Sequence, residues 1–394
     1  MNKNLKLAVP LSFMSMIFFP SATWMFFMLQ HLNFQQIATI MGIGAIASIV
    51  MEIPTGVFAD MVGRKWAIAL SYFLFTTAMI WMTMATSYTT FLLITLVNCL
   101  VNTLYSGSME ALLYDTLKQD KKEGEFDHWT SRMESVTWLG LFLSTVIGGY
   151  LHMMNPNFPY FAEAVVMGIA TILSLMLVEP RIDSIKYKAS DVWKNNFLGF
   201  KELFATSKMR YLTAIFVVIG VGYVVAADIL GISQAREYGL DAQTVGWVFG
   251  VGYIISALAS HFYPKLRKMT GSMRLVWGSA TFLIISFVLA KYVGAWAGVG
   301  LIVLRIASST TFRNSRSVLI NSEIGSANRA TTLSTLTLLT NIPYALSAIW
   351  IGGYIDRTSP NQFAWILGVG MIFSLGVLQL IKILMNPINV MKEH

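Results

Sequence analysis

The sequence predicts an all-α membrane protein, with twelve transmembrane helices arranged as two pseudo-symmetric six-helix bundles. Three observations carry this prediction. Of 394 residues, 55% are hydrophobic and only 12% are charged, against about 25% charged in an ordinary globular chain. The mean hydropathy is +0.61. The apolar residues gather into a dozen stretches that each reach or approach the roughly 20 residues needed to cross a bilayer.

The first element, expected near 7–29, follows "MNKNLKLAVPLSFMSMIFF". A basic start and an apolar run resemble a signal peptide, but no small-x-small cleavage site closes the run and more spans follow. It therefore reads as span one. The remaining spans are expected near 35–59, 66–86, 89–117, 129–153, 159–179, 209–232, 242–263, 273–291, 295–322, 329–355 and 361–385. Several exceed the length needed to cross, so tilt or extension beyond the bilayer is expected. The single cysteine, Cys99, lies in an apolar stretch. It leaves neither a disulfide framework nor a zinc set.

Lys and Arg orient the spans. Among 28 of them, Arg236, Lys291 and Arg357 fall in outer loops, and Arg305, Arg313 and Arg316 fall inside span ten. The other 22 sit on one side, which the positive-inside rule assigns to the cytoplasm together with both termini. The net charge of +8 is thus explained by topology, and no nucleic-acid partner is expected.

The chain divides in the middle: residues 1–179 form an N-terminal bundle, 180–208 a cytoplasmic linker and 209–394 a C-terminal bundle. Within the linker, Trp193, Phe197, Phe200 and Phe204 recur at helical spacing among Lys and Asn, which predicts an amphipathic helix on the membrane surface. Gly148-Gly149-Tyr150 in span five recurs as Gly352-Gly353-Tyr354 in span eleven, the equivalent span of the second half. Two like halves suggest a transporter with its site between them.

Between spans two and three lies "EIPTGVFADMVGRKWAIAL", with Gly56, Asp60, Gly63, Arg64 and Lys65 in fixed spacing. Gly56 is expected to admit a neighbouring helix and Gly63 to permit a tight turn. Asp60 is placed to accept from backbone N–H groups or a cation. Arg64 and Lys65 hold the turn at the basic face. This spacing resembles the signature of the major facilitator superfamily, and the resemblance extends to twelve spans, two halves and a long central loop. It implies that the turn stabilises the state closed to the cytoplasm, and that Asp115 at the end of span four pairs with it. Met61 stands where the family usually has Arg or Lys.

Ionisable groups within spans are expensive and are functional candidates. Glu52, Glu110 and Glu134, with Asp228 in span seven, are the candidates for proton coupling; Glu163 in span six ranks below them. Acids of the first half (Glu52, Glu110, Asp115, Glu134) and bases of the second (Arg313, Arg316, Arg329) suggest ion pairs between the halves that form and break during transport. Arg305 is roughly 14 Å into span ten counted from Trp296. It is placed to attract an anionic group. The resemblance implies that spans one, four, seven and ten line the cavity, which makes Trp24, Asn98, Asn102, Tyr105, Tyr223 and Arg305 its candidate lining. An aromatic and hydroxylic lining suits a medium-sized amphiphile.

No nucleotide-binding loop, catalytic triad or metal-ligand cluster stands in the sequence, so neither an enzyme nor an ATP-driven pump is expected. No cofactor is expected, and the proton gradient is the expected energy source. The first half resembles bacterial drug-efflux-type members of the superfamily, most visibly in "EIPTGVFAD". It departs from them in Ser144-Thr145-Val146-Ile147-Gly148-Gly149, which keeps only the last pair of their Gly-Pro-x-x-Gly-Gly. It also has Asn98, Asn102 and Thr103 in span four, where they carry an Arg. The expected function is proton-coupled efflux of a small amphiphile by a monomer in the bacterial inner membrane. Import of an organic anion and lipid flipping are the alternatives.

Overall fold

The structure is a computed structural model and describes residues 2–180, 198–325 and 328–385. Among the described residues every regular element is helical, and twelve helices are long and apolar enough to cross a membrane. They divide into two compact units: residues 1–192 with 240–254, and residues 193–239 with 255–394.

The first unit holds spans one to six, running over Lys3–Ala22, Phe34–Glu52, Arg64–Met82, Tyr88–Gln119, Glu123–Met154 and Phe158–Leu175. Local chemistry sets several of their ends. Asn33 and Gln36 form a reciprocal capping box at the start of span two, satisfying two of its orphan N–H groups. That helix continues to Val62 and passes through Pro54 without ending. It stops at Gly63, whose φ of 104° is a conformation a side chain would strain, and the next helix begins at Arg64. The cationic turn is thus a single residue long. The lone Cys99 is buried, its thiol donating to the Gly44 carbonyl at 3.2 Å.

Span one is not the continuous helix expected over 7–29. It is helical over Lys3–Ser15, becomes a short 3-10 turn over Phe19–Ala22 and resumes as a helix over Trp24–Met28. Pro20 explains the break. It has no N–H, its ring clashes with the carbonyl four residues back, and it disfavours helix at the residue before it. The broken stretch lies on span five, where Gly148 leaves room for it: a Cβ there would overlap the Phe19 backbone. Residues 240–254, the first turns of span eight, also belong to this unit. Trp247 Nε1 donates to the Tyr150 hydroxyl at 3.1 Å, and a Cβ on Gly149 would meet the Ala242 carbonyl.

The second unit holds span seven (Ser207–Glu237), the rest of span eight (Ala242–Thr270 in all), and spans nine to twelve (Ser272–Leu289, Ala295–Glu323, Thr331–Arg357, Pro360–Leu384). Span seven is longer than expected, and a π-helical turn over Ala226–Leu230 carries Asp228. Of the predicted linker helix, residues 198–204 are helical. Leu203 is buried, while the Phe200 and Phe204 rings stack at 4.7 Å and remain exposed. Trp193 and Phe197 lie outside the described residues.

Candidate functional site

The turn between spans two and three is held from within its own unit. Span six ends a few residues before Glu179, and the Glu179 carboxylate accepts from the Arg64 and Lys65 N–H groups, each at 2.8 Å. It caps the start of span three, where free N–H groups and the helix dipole favour an anion. The sequence reading gave the acceptor role to Asp60; Glu179, 115 residues beyond Arg64 in the chain, takes it instead. The Arg64 guanidinium meets Asp115 at 2.8 Å, and both side chains are largely buried. Lys65 lies over the Trp66 ring at 5.2 Å. Gly56 has open space beside it: a Cβ there would meet no atom within 4 Å among the described residues. Thr55 and Ala59 fill the packed face of that turn, and Gly56 is turned out of it.

A cavity of about 300 Å³ opens beside the break in span one. Met16, Ile17 and Phe18 from the unwound stretch form one wall, and Ser15, Ser71, Tyr72, Asn98, Asn102 and Tyr105 bring hydroxyl and amide groups. None of its lining residues carries a formal charge. The Tyr72 hydroxyl donates to the Leu11 carbonyl at 2.9 Å, and its ring meets that of Tyr105 edge-on at 5.4 Å. Asn98 Oδ1 is buried without a partner among the described residues. Three predicted lining residues, Asn98, Asn102 and Tyr105, therefore converge here. Trp24 does not join them; it packs against the apolar cluster that includes Phe27, Met28 and Phe91, because the break turns the second helical piece of span one away.

Behind the break stands Glu163, fully buried. The chain break frees backbone donors, and side chains of the neighbouring spans take them. Phe18 N–H donates to Ser144 Oγ at 3.0 Å and Phe19 N–H to Glu163 Oε2 at 2.9 Å. The Ser21 and Thr145 hydroxyls bond at 2.7 Å. Glu163 Oε1 has no partner among the described residues. By contrast Glu52, Glu110 and Glu134 are exposed. For Glu110 the cause is its register. Five residues separate it from Asp115, so when Asp115 turns inward to Arg64, Glu110 faces another way. Of the two acids on span four, the structure encloses Asp115 and leaves Glu110 exposed.

In the second unit Arg305 is 3% exposed. Its guanidinium lies 5.2 Å from the Phe287 ring centre, and Nη2 has no hydrogen-bond partner among the described residues. The Tyr223 hydroxyl, also on the predicted lining, bonds Ser308 Oγ at 2.9 Å and the Ser279 carbonyl at 3.0 Å. Asp228 is half-buried on the π turn. Arg313 reaches Thr310 Oγ1 at 3.4 Å, Arg316 lies 5.9 Å from the Phe312 ring centre, and Arg329 Nε donates to the Ile324 carbonyl at 3.3 Å.

The Major Facilitator Superfamily model matches residues 7–348. The chain belongs to that superfamily. The uncharacterized MFS-type transporter YxaM of Bacillus subtilis (strain 168) is 24% identical over 262 residues, 63% of each chain, so the match spans less than two thirds of that relative. The uncharacterized MFS-type transporter MJ1560 of Methanocaldococcus jannaschii is 24% identical over 358 residues, 87% of this chain and 86% of that one. Among solved structures, the nucleoside transporter NupG superposes with a TM-score of 0.81 at 16% identity, covering 96% of this chain and 98% of that one. A bacterial homologue of the iron transporter ferroportin, in an inward-facing state, gives 0.67 at 14% identity, covering 95% and 96%. At these identities the structural likeness shows the fold. This superfamily member is a multi-pass secondary transporter and not an enzyme.

Proposed function

We propose that this superfamily member exports a small, uncharged, amphiphilic compound in exchange for protons, by alternating access. The observation that carries the reading is the uncharged cavity beside the span-one break. Its serine, asparagine and tyrosine groups offer donors and acceptors, and its aromatic rings offer an apolar face. A ligand with a flat ring and several hydroxyl or amide groups fits that chemistry. Nucleosides, the compounds in the name of one structural neighbour, combine both features and head the ligand screen. Export is supported by the likeness of the first half to drug-efflux-type members.

Proton coupling is best placed at Glu163. It is fully buried, it holds the unwound backbone that borders the cavity, and it keeps one oxygen unpartnered among the described residues. The Arg64–Asp115–Glu179 cluster serves as the gating turn. Arg313, Arg316 and Arg329 remain candidates for ion pairs that change during transport.

The test is a ligand screen by thermal shift on the purified protein, followed by transport in proteoliposomes. A ligand of the native state raises the apparent melting temperature. Neutral ring-bearing compounds that stabilise the protein and leave loaded vesicles against an imposed proton gradient support the reading. Stabilisation confined to charged compounds, or export indifferent to the gradient, overturns it.

A second reading, transport of an organic anion, is favoured by one observation: the buried Arg305 lacks an acid partner among the described residues.

A further inference from the structure

The second unit has a larger cavity that the transport reading does not use. It measures about 720 Å³ and lies among spans seven, nine, ten and twelve. Its rim is made by the first turn of span seven and the last turn of span twelve, which bring Lys208, Arg210 and Lys382 together. Glu323 is the one acid on its lining and is already engaged, 2.7 Å from Lys208 Nζ. Arg210 bonds the Ser207 hydroxyl at 3.1 Å, and Lys382 lies over the Tyr211 ring at 5.1 Å. Neither has an acid partner among the described residues. Two cations therefore remain uncompensated at the mouth of one cleft.

Below the rim the lining turns apolar, with Leu212, Ala214, Leu378 and Ile381. The flanking face of span twelve is apolar and exposed, Phe373 at 73% and Leu384 at 77%, as a helix facing lipid chains is. These cations stand at helix ends, where Lys and Arg side chains reach the headgroup level. By the positive-inside rule this end faces the cytoplasmic leaflet, the leaflet that carries anionic lipid.

We propose that this cleft is a binding site for an anionic phospholipid, its phosphate held by Arg210 and Lys382 and the start of an acyl chain lying along Leu378 and Ile381. Zwitterionic lipid carries its own cation beside the phosphate and gains less from these two charges. Free phosphate would meet the same cations but has nothing to place on the apolar wall.

The experiment uses the purified full-length chain in detergent, with phosphatidylglycerol, phosphatidylcholine and inorganic phosphate as probes. Native mass spectrometry counts bound lipid, and thermal shift reads its effect. Phosphatidylglycerol is expected to bind in preference to phosphatidylcholine, and the preference should fall about fivefold for each cation removed in Arg210→Gln and Lys382→Gln. Lys382→Arg should keep it. Unchanged melting in phosphatidylcholine shows that the variants fold. Equal binding of the two lipids overturns the proposal, as does a preference that survives in the double variant. So does inorganic phosphate that stabilises the protein as strongly as phosphatidylglycerol, which would mark a free-anion site.

Discussion

Glu163 Oε2 accepts from the Phe19 N–H at 2.9 Å, joining a buried acid of span six to the one stretch of span one that is not α-helical. Spans one, three and five pack against span six. His152 near the end of span five and Tyr160 on span six are also buried, with Nδ1 and the hydroxyl unpartnered among the described residues. A change of charge on Glu163 acts directly on the unwound backbone it holds.

Glu163→Gln keeps an oxygen acceptor for Phe19 and removes the titration. Gradient-driven transport should fall to the level seen without a gradient, while counterflow, which needs no net proton movement, persists. The two assays in the same proteoliposomes check this; loss of both would point to misfolding and retention of both to another proton carrier.

Removing the Arg64–Asp115 pair through Asp115→Asn should cost about 1–3 kcal/mol of stability, because the pair is mostly buried and would leave a cation unmatched. A double-mutant cycle with Arg64→Gln should show non-additivity in thermal unfolding. Independent effects would mean that the contact contributes nothing of its own.

Glu179→Ala uncaps span three. A loss of about 1 kcal/mol is expected by analogy with other caps, along with faster labelling of a cysteine placed at residue 62. Labelling at the parent rate would remove Glu179 from the gating turn.

Asp241 accepts from the Thr244 N–H at 2.7 Å, and that bond holds its carboxyl below the usual range. A group whose ionised form is favoured by folding contributes stability above its ordinary titration range and loses it as pH falls through the folded value. The difference in melting temperature between parent and Asp241→Asn should thus be present at neutral pH and shrink on acidification.

Gly148→Ala should prevent close packing of span five on span one and lower the melting temperature strongly, since the intruding methyl meets backbone and overpacked sites relax poorly. Gly107→Ala, with open space around it, should do no harm and gain up to about 1 kcal/mol in helix propensity.

The span count was legible because it depends only on length and hydropathy, and the Gly63 turn because only glycine suits its dihedral. Pro20 was in plain view, yet the apolar run on both sides of it reads as one span. The π turn at Asp228 has no sequence signal of its own. Glu179 went unread because its partners lie 114 and 115 residues away, and spacing within a helix says nothing about which helix end it will meet. Glu163 ranked below the other acids because it stands early in span six; the broken span-one chain, bonded to it through Phe19, helps to enclose it. Gly56 and Trp24 were assigned to the wrong neighbours for a related reason, since helical periodicity gives a face without saying what covers it.

The break at Pro20 also decides what mutagenesis is able to reveal. Proline cannot donate to the Met16 carbonyl four residues back, and Met16, Ile17 and Phe18 all line the chamber, so the carbonyl freed by the break belongs to a lining residue. Recognition through peptide groups is indifferent to side-chain identity. Alanine scanning along this stretch will under-report it, and amide-to-ester replacement is the tool that would reach it.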